Sequence, residues 1–234
     1  MSLNSCGRVL APLLFSLLLV HSTRAELIGG VDFPLGSLSF ADVVVDYQPD
    51  VGAAVPDAAN SEPSNALGVP EVPGNTSIGA CTGDPFSCPF VSLGDGGSIV
   101  LRFNDNALIA DGTPDLDLWI FEVGSDVERT VVEISEDGIS WVPAGSVEGT
   151  TSGIDLDAEG VSVGIPYFFV RLTDDPNEGG QSGSSVGADI DAVGAIAAIP
   201  FSVPLHWVST LLLGIILTLV AFRLPRKSNG GLQR

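Results

Sequence analysis

Between Glu26 and Pro204 the chain contains no histidine and no lysine; His21, His206 and Lys227 all lie outside that span. Their absence removes the commonest general acids and bases, so neither a Ser-His-Asp nor a Cys-His arrangement can be assembled there, and histidine-ligated zinc is equally excluded. Basic charge of any kind is scarce. Three arginines, Arg102, Arg129 and Arg171, stand against 29 acidic residues, a net of −26 over the segment. A surface so negative repels phosphate backbones, which argues against nucleic acid as a partner and against direct adhesion to anionic lipid. Phosphate-cradling loops are missing too: there is no GxxxxGKS pattern, and GGQSGSSVG lacks the strand-to-helix setting such a loop needs. Cysteine is limited to Cys6, Cys81 and Cys88. The last two, in ACTGDPFSCP, have neither CxxC spacing nor histidine company, and in an exported chain they most simply form one disulfide closing a small loop.

Long apolar runs occur only near the two ends. The first, VLAPLLFSLLLV, is 12 residues long, follows Arg8 and precedes HSTRA, with Thr23 and Ala25 at small-residue cleavage positions. A helix rising about 1.5 Å per residue cannot span roughly 30 Å of hydrocarbon in so few residues, so residues 1–25 are expected to be a signal peptide. The second run extends from Trp207 to Phe222, or from Val203 if the flanking proline motif is counted, which gives 20 uncharged residues. That length suffices for one membrane crossing, with the helix placed at 205–222 and Trp207 at the interface. Arg223, Arg226 and Lys227 after the helix, and the acidic segment before it, place the tail in the cytoplasm and the domain outside.

Residues 26–200 make one domain of ordinary size. Short β-branched and aromatic runs alternate there with Gly, Asp, Asn and Pro clusters: ADVVVDY, GSIVLRF, LDLWIFEV, RTVVEIS, SWVPAG, YFFVRLT and DIDAVGAI. This rhythm predicts an all-β sandwich or barrel. In VVEISEDGISWVPAG, Asp137-Gly138 can supply the positive φ angles of a tight hairpin turn. In LDLWIFEV, Leu116, Leu118 and Ile120 alternate with Asp117, Trp119 and Phe121, so both faces meet something apolar and the strand belongs inside a sheet. Residues 56–90 and 174–187 read as long loops, the usual carriers of function.

Acids cluster near the expected strand ends: Asp115 and Asp117 before LWIFE, Glu122 within its end, and Asp189 and Asp191 in GADIDAV. Simple alternation puts Asp189, Asp191 and Val193 on one face. A carboxylate facing a core is costly unless paired or metal-bound, and three arginines cannot pair so many. Calcium is the natural cation for such oxygen ligands, and the expected site is built through Asp191, with Asp115, Asp117, Glu122 and Asp189 as possible companions. The alternative is that Asp189 caps a loop and Asp191 bonds backbone amides. Carboxylate pairs could also serve a glycosidase, but no pair is marked by an apolar partner, so no catalytic residue is assigned.

Read in order, NALGVPE, VSLGDGGSIVLRF, GTPDLDLWIFEVG, VVEISEDGISWVPAG, YFFVRLTD and GADIDAVGA resemble a discoidin-like, galactose-binding-type jelly-roll module of bacterial surface proteins, over roughly Ala41 to Ala197. The resemblance implies a jelly-roll sandwich and a non-catalytic module for an extracellular polysaccharide or matrix component. The C-terminal segment 201–234 is similar to sorting signals of the PEP-CTERM type: the short motif Val203-Pro204-Leu205 with Trp207, one apolar helix and a basic end, with VPL where that family has Pro-Glu-Pro. It implies processing by a membrane-embedded sorting protease of the exosortase type. The expected partners are therefore a membrane, that protease and a polysaccharide, and the expected place is the cell surface. A structural spacer of the surface matrix is the alternative role, and a carbohydrate-active enzyme a further one.

Overall fold

The computed structural model of the chain describes residues 25–72, 88–124, 128–149, 151–178 and 182–201. Most of the expected signal peptide, the whole motif Val203, Pro204, Leu205 and Trp207, the basic residues Arg223, Arg226 and Lys227, and Cys81 lie outside the described residues. Among the described residues no helix is long and apolar enough to cross a membrane.

Among the described residues thirteen strands follow one another: β1 Glu26–Ile28, β2 Val31–Phe33, β3 Val43–Gln48, β4 Val91–Ser92, β5 Ser98–Arg102, β6 Asn106–Leu108, β7 Leu118–Glu122, β8 Arg129–Ser135, β9 Val142–Glu148, β10 Thr151–Ile154, β11 Phe169–Asp174, β12 Asp189–Ala195 and β13 Ala198–Pro200. Two antiparallel sheets dominate, ordered β10-β7-β12-β4 and β3-β5-β11-β8-β9, beside the small pairs β1-β2 and β13-β6. They enclose one main core. Leu118, Ile120, Ile190 and Val193 of the four-stranded sheet pack in it with Ile99, Leu101, Val132, Ile134, Val170 and Leu172 of the five-stranded one. Each such side chain contributes about 1.5–3 kcal/mol on burial, so this layer is what holds the two sheets as a β-sandwich. All seven runs read as strands from their β-branched and aromatic content carry strands.

β7 is paired on both sides and has an apolar environment on both faces. Leu118 and Ile120 face the main core, whereas Trp119 and Phe121 join Phe33, Phe40 and Ala192 in a second cluster. The N-terminal hairpin β1-β2 and the turn Gly36–Ser39 thus cover the outer face of the four-stranded sheet, with the Phe33 and Phe40 rings 4.7 Å apart.

Two local expectations are corrected. The β8-β9 connection is antiparallel as expected, but it is a six-residue loop, 136–141, in which only Gly138 has a positive φ, of 74°. Its shape comes from side chains: Ser135 Oγ accepts the Asp137 and Gly138 amides, and Asp137 Oδ1 accepts those of Ile139 and Ser140 at 2.8 Å each. This Asx-type network replaces the two-residue turn. In β12 the register against β7 shifts between Ile190 and Ala192. That β-bulge resets the alternation, so Ile190 and Val193, an odd number of residues apart, both enter the main core. Asp189, Asp191 and Val193 therefore do not share one continuous face.

Candidate functional site

β7 carries an acid at each end, and the five residues expected to gather around one cation are split between them. At its far end Glu122 is buried, with its neighbour Ile190 across the sheet leading to Asp189. Burial pushes the Glu122 carboxyl up to about 10, and Glu128, Asp189 and Asp174 add repulsion in the same direction. Asp189 Oδ1 accepts the Ser92 hydroxyl. Asp174 accepts the Gly96 amide at 2.9 Å and the Ala188 amide at 3.0 Å, which partly offset a rise caused by burial. Asp191, at the bulge, holds the loop of residues 71–72: its two oxygens accept the Glu71 and Val72 amides at 3.1 Å each. Burial raises its pKa to about 6 against the pull of those amides. Asp191 thus accepts backbone amides, and the register of β12 against β7 places it beside Phe121 and Glu122, four to five residues along β7 from Asp117.

At the near end, Asp117 is buried and Asp115 is exposed, its amide donating to Thr113 Oγ1 at 3.3 Å. Asp117 instead meets Asp111 and Asp157, two residues not singled out by strand-end reasoning; one carboxylate oxygen from each lies within 4.8 Å of the others. A signal for Asp157 was present in the repeated triplet Asp-Leu-Asp at 115–117 and 155–157, which antiparallel pairing of β10 with β7 brings side by side.

The opposite sheet holds the domain's positive charge. Arg171 donates to Glu133 Oε2 and lies over the Trp141 ring, 4.3 Å from its centroid; Arg102 lies over Phe169 at 5.5 Å; Arg129 reaches Asp175 at 3.5 Å and Glu148 at 3.8 Å. Beside Trp141, the 136–141 loop forms a pocket of about 320 Å³ lined by Glu136, Asp137, Ser140, Val142 and Tyr167. Its lining mixes one apolar wall with carboxylates and hydroxyls. Burial and Glu136 push the Tyr167 phenol up, so it remains a donor, while the Ser140 and Ile139 amides hold Asp137 below its ordinary value and keep it ionised. Such a set can hydrogen-bond a neutral, hydroxyl-rich ligand and repels an anionic one. The sequence marked the hairpin but offered no reason to place Tyr167 beside it, because that contact depends on the backbone pairing of Tyr167 with Leu108 and of Phe168 with Ser135.

Cys88 is buried against Phe90 and Val123, with Sγ 3.6 Å from Asn60 Oδ1. No family model and no curated protein matches the chain. Among solved structures, CpGH89CBM32-6 produced by Clostridium perfringens is similar over 45% of this chain and 72% of that one, at 13% identity and a TM-score of 0.28.

Proposed function

We propose that this chain is an exported, non-catalytic module of the cell surface that binds a neutral extracellular glycan in the pocket between the β8-β9 loop and Tyr167. The observation that carries the reading is the lining of that pocket: Glu136, Asp137, Ser140 and Tyr167 offer acceptors and donors beside the apolar wall of Val142. Its volume, about 320 Å³, falls at the small end of ligand sites and suits one or two sugar units. Asp137 is pinned by backbone amides and kept ionised, so it is a poor general acid, which favours binding over hydrolysis. Residues 1–25 supply export, and 201–234 deliver the domain to the membrane, where a sorting protease of the exosortase type processes the signal. The Cys81–Cys88 disulfide belongs to the same reading, since an oxidising exterior preserves it.

Retention of the full-length chain, solubilised in detergent, on immobilised neutral polysaccharides tests this directly. Tyr167→Phe and Glu136→Gln each remove one hydrogen-bonding function and are expected to weaken retention by about tenfold, as befits roughly 1 kcal/mol or slightly more per bond. Equal retention of both variants and the parent would place binding elsewhere. A spacer role predicts no retention of any of them, and release of reducing sugar would mark an enzyme.

A further inference from the structure

The loop entering β7 brings three carboxylates together with no positive side chain among them. Asp111 Oδ1 accepts the Thr113 amide at 2.8 Å, Asp157 Oδ2 the Gly112 amide at 2.9 Å, and Asp117 Oδ2 the Leu156 amide at 2.9 Å. Each amide fixes the direction of one carboxylate. The backbone of Asp117 is fixed as well, its amide donating to Ile154 O and its carbonyl accepting the Ile196 and Ala197 amides. What is left over points to a ligand: Asp117 is 0% exposed, and its Oδ1 makes no hydrogen bond of ordinary geometry among the described residues, the Asp111 amide adding only a minor pull on the carboxylate. A buried carboxylate oxygen without a well-formed hydrogen bond costs several kcal/mol if charged. The domain's arginines cannot relieve it, because Arg102, Arg129 and Arg171 are engaged on the other sheet.

We propose that Asp111, Asp117 and Asp157 bind one calcium ion, which ties the β6-β7 loop to the end of β10. The three oxygens lie within 4.8 Å of one another, about twice the roughly 2.3–2.6 Å length of a calcium–oxygen bond, so one ion can touch all three. Magnesium demands near-ideal octahedral geometry at about 2.0–2.1 Å and is usually held by one or two carboxylates with several waters, so three converging carboxylates suit calcium better. Asp111 is exposed and Asp157 half-buried, which gives the ion a path from solvent and leaves room for waters to complete its shell. The arrangement differs from the one strand alternation suggested: it keeps Asp117, replaces the other four residues, and does not involve Asp191.

Calorimetric titration of the full-length, detergent-solubilised chain with calcium chloride, after chelator treatment and at sodium-matched ionic strength, tests the site. One equivalent of calcium is expected to bind and to raise Tm above the sodium control. Asp111→Asn and Asp157→Asn, at accessible positions, are expected to raise Kd by about tenfold or more, while Asp115→Asn and Asp191→Asn leave it unchanged. Asp117→Asn should do the same as the first pair if it folds, but the two accessible variants decide the matter without it. No heat beyond the sodium control, or unchanged affinity in both Asp111→Asn and Asp157→Asn, would overturn the proposal.

Discussion

Glu122 is a glutamate placed where water cannot solvate its charge, with Glu128, Asp174 and Asp189 facing it from neighbouring elements. Its pKa is raised from 4.5 to about 10, so the folded state holds a proton that the unfolded state releases above about pH 4.5. The contribution is neutral below that value, and stability falls as pH climbs through the window toward 10, by about 1.4 kcal/mol per unit for this one group. Glu122→Gln supplies a neutral isostere at every pH. It is expected to stabilise the fold at pH 7 by on the order of 3 kcal/mol, with no difference near pH 4. Denaturant unfolding at both pH values checks this; a variant less stable than the parent at pH 7 would contradict it. The sequence marked Glu122 and Asp189 as unusual because acids flanked apolar runs, and that much was legible. It did not separate proton-holding from amide-binding, or from the ion-binding proposed for Asp117. Those roles depend on which loop closes over each carboxylate, as residues 71–72 close over Asp191 and Asp111 lies beside Asp117.

Strands with strong local signals were legible as elements, and those defined by their partners were not. β5, β7, β8, β11 and β12 carry β-branched or aromatic alternation that only a sheet satisfies, whereas β4, β6, β10 and β13 are two to four residues long and exist because a longer neighbour offers hydrogen-bonding groups. The bulge in β12 was likewise invisible, since one extra residue changes no composition yet reverses the face of everything after it. The N-terminal hairpin β1-β2 shows how tightly such covering elements are fitted. A Cβ at Gly194 would lie 2.6 Å from the Phe33 ring and 3.0 Å from that of Phe40. Gly194→Ala is therefore expected to push the hairpin off the sheet, lowering stability by about 1–3 kcal/mol and speeding amide exchange across 26–33. Unchanged exchange there would mean that the hairpin is not seated on β12 as described.

At the scale of the whole molecule, charge and fold divide the labour: one sheet carries the arginines and the 136–141 loop, the other carries the acids at the ends of β7. The two terminal apolar segments give this domain its proposed route to the surface. If 201–234 is an address read by a sorting protease, cleavage falls near Val203 to Trp207, and mass spectrometry of the surface form from its native host finds no peptide between Leu211 and Phe222. Recovery of that helix intact would instead establish a permanent anchor. The sandwich was legible in sequence because its strands are many, short and separated by turn residues. The pocket was not, because Tyr167 and Glu136 are 31 positions apart and meet only once β11 lies beside β8. Hydrogen–deuterium exchange of the full-length chain with and without a retained neutral oligosaccharide decides whether glycan binds at that pocket. Protection is predicted at residues 136–142 and around Tyr167, with the β7 ends unchanged; protection confined to any other surface, with 136–142 unaffected, would contradict it.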